Sequence, residues 1–180
     1  MGGKARLRKW LIQHFPTEGR IYCEPFAGKG NVFYEARQQL KFKMWFLSDI
    51  DARFLFSARL ADLSMLPANV DREEFEFWKG SNGFIASLIA PRITYAGKGY
   101  AAGFSGSSGT HIGYSGKAYL KVCLAARELL QGVFILQQDW EDSLKELGPS
   151  DFAYFDPPYV GVRANYQNID HEELIEAQNC

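Results

Sequence analysis

The stretch "RIYCEPFAGKGNVFYEARQQL", Arg20 to Leu40, decides the fold. A short apolar run, Arg20 to Glu24, leads into a turn holding Gly28 and Gly30, and Val32 to Leu40 then carries apolar residues at mixed helical spacing. This predicts strand, tight glycine turn and helix. A second run, Met44 to Leu47, ends at Ser48-Asp49, and "DARFLFSARLADLSML" follows with a helical pattern stopped by Pro67. Alternating strands and helices mark a parallel sheet in an α/β fold.

Further along, helical spacing covers Lys117 to Leu130, and Val133 to Leu136 and Phe152 to Phe155 read as two more strands. Asp170 with Glu173 makes a capping-box-like helix start in the tail. Glu24, Asp49 and Asp156 stand at strand tips, with Asp139 just beyond the remaining strand. In open parallel sheets that rim is where ligands bind.

The last of these acids lies in "FAYFDPPYVG", Phe152 to Gly161. A buried carboxylate at a strand's end is expensive unless something uses it. Pro157 and Pro158 fix two φ angles and remove two N–H donors, leaving a stiff backbone whose carbonyls can accept from a ligand.

At 180 residues the chain is long enough for one sizeable core, and no apolar run reaches membrane-spanning length. The N-terminus "MGGKARLRKW" is basic without an apolar segment behind it, so the expected location is the cytoplasm. Cys23, Cys123 and Cys180 form no CxxC pair, and His14, His111 and His171 show no ligand spacing, so no metal is expected. The net charge of -1 hides a segregation. No acid lies between Glu76 and Glu128, where Lys79, Arg92, Lys98, Lys117, Lys121 and Arg127 are basic, while acids dominate from Asp139 onward. The first of these segments can face a polyanion. Gly80 to Gly116 holds nine of the 17 glycines with Tyr95, Tyr100, Phe104 and Tyr114 interspersed, and reads as a long irregular stretch, functional or a flexible linker.

The glycine loop has GxG spacing, but Phe33 replaces the third glycine of the dinucleotide pattern and Glu24 sits just before the turn. A carboxylate there repels a pyrophosphate and suits a cation. Asp49, about one βα unit on, stands where such sites bind ribose hydroxyls, or else caps the next helix. A ligand with a ribose and a positive charge, and no required phosphate, is S-adenosyl-L-methionine.

"GGK" at the N-terminus, "EPFAGKG" and "DPPY" after an apolar strand, in that order, resemble the Dam-like (D12 class) N6-adenine-specific DNA methyltransferases. The resemblance implies a Rossmann-like S-adenosylmethionine-dependent methyltransferase fold with a parallel central sheet. It implies that Gly3 and Lys4 help bind the methionine end of the cofactor. Phe26, Gly28 and Gly30 then match the cofactor loop with Glu24, Asp49 the ribose acid, and Asp139 with Trp140 the pair beside the cofactor adenine. Trp140 reads equally well as core. Asp156, Pro157, Pro158 and Tyr159 become the catalytic set. Asp156 and the Pro157 carbonyl accept the two N–H bonds of a flipped adenine N6 amino group, and Tyr159 stacks on the base.

The same resemblance places a target-recognition insertion at 71–116 between catalytic segments 1–70 and 117–180. Arg92, Tyr95, Lys98, Tyr100, Tyr114 and Lys117 are its candidates for contacts with double-stranded DNA. Further strands normally follow "DPPY" in this fold, so the C-terminal strands are expected to be missing. The strand at Phe152 to Phe155 is then an edge open to a second copy or a partner chain. Two alternatives stay open: an RNA amino-group methyltransferase acting on guanine N2 or adenine N6, and an inactive truncated remnant that binds cofactor or DNA.

Overall fold

The computed structural model describes residues 7–97, 99–106 and 114–157. Strands β1 (Glu18–Glu24), β2 (Lys41–Asp49), β3 (Phe134–Gln137) and β4 (Phe152–Ala153) form one parallel sheet in the order β3-β2-β1-β4. This is the parallel α/β arrangement expected from the alternation, and it is consistent with the Rossmann-like methyltransferase fold that the resemblance implies. Connections run outward from β1 through β2 to β3, and the chain then returns across the sheet to lay β4 on the other side of β1. The strand order therefore reverses between β1 and β4. At such a reversal the two flanking loops diverge and leave a crevice at the strands' C-terminal ends.

The burial of the strands shows why they are central. β1 is exposed at its start and fully buried from Ile21 to Glu24, and β2 alternates at first before Leu47, Ser48 and Asp49 are all buried. The C-terminal halves are covered on both faces, as parallel strands must be. Trp45 anchors the core, with Tyr22, Phe33 and Phe42 around it at ring separations of 4.8, 5.7 and 5.6 Å. Its indole N–H donates to the Phe42 carbonyl, so burying it leaves no orphan donor.

Helices α1 (Arg8–Ile12), α2 (Asn31–Gln39), α3 (Arg53–Leu60), α4 (Arg72–Lys79), α5 (Phe84–Ile93) and α6 (Gly116–Leu129) pack as a linked layer, α6 touching both α2 and α3. Helix α7 (Trp140–Leu144) packs against β2.

Two expectations need correction. The helix read from Asp51 to Leu66 ends at Leu60, followed by a 3-10 turn at Leu63–Met65. Asp62 accepts from both the backbone N–H and the hydroxyl of Ser64, a local alternative to helix, and Arg127 donates to the carbonyls of Ala58 and Ala61 at the α3 terminus. The glycine-rich stretch is also less irregular than it reads, because Phe84–Ile93 is helix α5. Six of its ten residues are buried, so it lacks the polar stripe that makes a helix legible, and Pro91 sits in its last turn. Phe75, Ile85, Leu88, Ile89, Ile93 and Phe104 from this region share one core with the sheet.

Strand β4 is short and lies at one edge of the described sheet, held by Tyr22↔Phe152 and Cys23↔Ala153 pairing and by Tyr154 N–H to the Cys23 carbonyl. Phe15 covers it, 4.7 Å from Phe152 and 5.2 Å from Tyr154. Its approach is clamped by Asp151, which accepts from Ile21 N at 3.1 Å, Gly148 N at 2.8 Å and the Arg20 guanidinium. Asp151→Ala should lower stability by about 2 kcal/mol, since several bonds to one carboxylate are lost together. Urea unfolding measures this, and an unchanged midpoint would show that the clamp contributes nothing to docking β4.

Candidate active site

Glycine loop 25–30 connects β1 to α2 and is tied down residue by residue. Ala27 N–H donates to Ser48 O at 2.9 Å, Gly28 N–H to Asp49 Oδ2 at 2.8 Å, and Gly30 N–H to Ala27 O at 2.8 Å. Gly28 and Gly30 both adopt positive φ, 52° and 72°. Their surroundings differ. A Cβ on Gly30 would press on Leu55 and Tyr34 at 3.3 Å, so this glycine lets the loop close onto α2 and α3. A Cβ on Gly28 would meet nothing within 4 Å, which leaves open space against exposed backbone where a ligand can approach.

Asp49 is buried and does not cap α3, whose N-cap is Ala52. Its carboxylate accepts from Gly28 N and from Asp51 N at 2.9 Å, bracing the first glycine loop from the tip of the second strand. Asp51, two residues on, carries a side chain 44% exposed in a two-point pair with Arg53.

Glu24 is 3% exposed, and its Oε1 accepts from the Tyr22 hydroxyl at 2.5 Å. Burial pushes its carboxyl up to about 8, the Tyr22 hydrogen bond opposes this, and the negative charge of Asp156 adds to it. Glu24 and Asp156 thus feel one another across the reversal between β1 and β4. At neutral pH the first is largely protonated.

An aromatic group borders the same rim. Phe26 lies over Trp140 at 6.4 Å with planes 26° apart, and Phe155 sits 6.3 Å from Phe26 and 6.4 Å from Trp140. The three rings come from the glycine loop, the start of α7 and the residues after β4. Asp139 precedes Trp140 with an exposed side chain at the N-cap of α7. Elements far apart in sequence therefore bring Glu24, Phe26, Gly28, Gly30, Asp49, Asp139, Trp140 and Asp156 to one rim, with Pro157 following. Gly3, Lys4, Pro158 and Tyr159 lie outside the described residues.

The candidate DNA contacts divide. Arg92 and Lys117 are exposed, as is Tyr95 at 58%, and Arg92 stacks over Tyr119 at 5.1 Å. Tyr114 is 6% exposed with its hydroxyl donating to Pro67 O, and Tyr100 is half-buried against Phe75 with its hydroxyl on Ala86 O. Those two tyrosines serve packing in this arrangement. Lys98 lies outside the described residues. Among the described residues no group of three or more His, Cys, Asp or Glu is placed to hold a metal, and no helix is long and apolar enough to cross a membrane.

Sequence reasoning missed Phe155 as part of the rim and Lys29 as a tie from the glycine loop to Gly97. Phe155 was absorbed into a strand that ends at Ala153, and the only signal for Lys29 was a cation inside the glycine loop.

The reversal point of the parallel sheet is lined by acids, an aromatic group and a glycine loop, in the place where open parallel sheets bind ligands. Residues 1–74, spanning that loop, β2 and α3, match the family model of the D12 class N6 adenine-specific DNA methyltransferases. The resemblance read from the motifs holds over this segment, and the Asp156 motif lies beyond it. No curated protein matches the chain.

Glu24 gives a prediction with a definite sign. Because its pKa is raised in the folded protein, its contribution to stability is complete below about 4.5 and is lost as pH rises through about 8. Glu24→Gln removes the titration. Melting temperatures between about pH 5 and about pH 9 should fall more steeply for the parent protein than for E24Q, and parallel curves would contradict the shift.

Proposed function

We propose that this protein transfers the methyl group of S-adenosyl-L-methionine to the N6 amino group of an adenine flipped out of DNA. The observation that carries this reading is the placement of Glu24 at the tip of β1 and Asp156 just beyond β4, on either side of the strand reversal and beside the ring group and glycine loop. The family match over residues 1–74 supports it.

The residues present fit the cofactor. Open space against the Gly28 backbone admits it, and half-buried Phe26, backed by the buried Trp140 ring, offers an apolar face for its adenine. Asp49 holds the loop in shape beneath the ribose, Asp139 supplies an exposed carboxylate beside the rings, and Gly3 and Lys4 take the methionine end. When bound, the cofactor supplies an electrophilic methyl on a sulfonium.

Asp156 and the chain at Pro157 act on the other reactant. An adenine N6 lone pair is delocalised into the ring, so it is a poor nucleophile until its N–H bonds are polarised. The Asp156 carboxylate accepts one N–H and the Pro157 carbonyl the other, drawing electron density onto N6 as the new C–N bond forms. The prolines hold these acceptors still, Tyr159 stacks on the base, and orientation supplies much of the rate. The amino group loses one proton after transfer, toward Asp156 and solvent. Flipping the base costs a few kcal/mol. Arg92 meets phosphates and Tyr95 the disturbed duplex, which makes residues 71–116 the recognition element between catalytic segments 1–70 and 117–180, and Lys117, the first residue of the second segment, meets phosphates beside it.

Two measurements test this reading. Incubation with methyl-labelled cofactor and unmethylated mixed-sequence duplex, followed by nucleoside mass spectrometry, should yield N6-methyladenine. Asp156→Ala should abolish that product, by at least about a hundredfold, while cofactor affinity changes little. Retained transfer would sink the mechanism, methylated RNA alone would move the substrate class, and binding without transfer would point to a non-catalytic role. Calorimetry tests the charge logic. A cation beside Glu24 lowers its pKa, so cofactor binding should release protons and tighten as pH rises toward about 8. Binding independent of pH and buffer would contradict it.

A further inference from the structure

Lys29 has no part in the mechanism above, yet its placement is specific. It lies in the glycine loop between Gly28 and Gly30, half-buried, and its Nζ donates to the Gly97 carbonyl at 2.8 Å. Burial holds its pKa below the usual lysine range, so its ammonium is poorly hydrated and depends on this acceptor. The acceptor side is equally built. Gly97 adopts φ +65°, and a Cβ there would lie 3.0 Å from both Lys29 Nζ and Pro91 O, a fit that only glycine gives without displacement.

Gly97 belongs to a small closed loop between Thr94 and Phe104. These two residues form an antiparallel bridge, reinforced by Tyr95 N–H to Gly103 O, Ser105 N–H to Ile93 O and Gly99 N–H to Thr94 Oγ1. The loop carries exposed Tyr95 and follows α5, which ends beside Arg92. Lys29 is thus a side-chain tie from the methyl-donor loop to the loop that presents the proposed DNA contacts.

We propose that Lys29 is a positioning residue that latches the Thr94–Phe104 loop onto the glycine loop, so that ordering either one orders the other. Cofactor and DNA then bind with positive coupling, reciprocal between the two sites. This consequence rests on the methyltransferase reading; the latch itself does not.

The test uses the full chain with Lys29→Met, which keeps the stem and removes the donor, and Lys29→Arg, which keeps a charged donor. Hydrogen exchange of ligand-free protein, read on peptides spanning 94–106, should be about tenfold faster in K29M, with K29R close to the parent protein. Fluorescence anisotropy of a labelled mixed-sequence duplex, with and without S-adenosylhomocysteine, should show tightening in the parent protein that falls toward none in K29M. Unchanged exchange at 94–106 in K29M, exchange in K29R as fast as in K29M, or full tightening retained in K29M would each overturn the proposal. If the parent protein binds S-adenosylhomocysteine by calorimetry without tightening on the duplex, the coupling is overturned; if it does not bind S-adenosylhomocysteine at all, the methyltransferase reading fails, and the exchange data alone uphold or overturn the latch.

Discussion

The pairing of β1 with β2 is the constraint on which the site depends. Its register sets Glu24 against Leu47, so the tips of both strands are buried together, and the chain continues from β1 into a loop that must turn at once. The Asp49 carboxylate then reaches across from β2 to the Gly28 N–H, converting strand pairing into loop shape. A shift of one residue in that register would turn the alternating side chains to the wrong face and take Asp49 away from the loop.

The electrostatics follow from the same geometry. Burial of Glu24 at the tip of β1 is the main force that raises its pKa, and the negative charge of Asp156 just beyond the neighbouring strand adds to it. A neutral Glu24 can be buried there without a counter-charge, and under the proposed function a bound cation would lower its pKa. The aromatic group adds apolar surface without competing for hydrogen bonds.

Much of this was legible in the sequence. The strand, glycine turn and helix at Arg20 to Leu40 appeared as read, and the rim acids were identifiable because each ends an apolar run. What escaped has physical causes. Helix α5 is buried on most sides, so periodicity carried no signal, and Asp62 ends α3 through a local hydrogen bond rather than through the proline five residues later. The burial of Tyr114 and the partial burial of Tyr100 depend on contacts with Pro67, Ala86 and Phe75, long-range partners that composition cannot reveal. Lys29 carries no local signal of its task, because its partner lies 68 positions away. Asp49 read as a ribose acid or a helix cap, and the structure gives its carboxylate a third task, bracing the glycine loop.

The most direct measurement is a structure of the protein with sinefungin, a non-reactive cofactor analogue carrying an amine in place of the sulfonium methyl. The analogue is expected at the C-terminal ends of β1 and β2, against the Gly28 backbone, with its adenine on the Phe26 face and its amine directed toward Glu24 and Asp156. No binding at saturating analogue, or binding away from this rim, would contradict the proposed site.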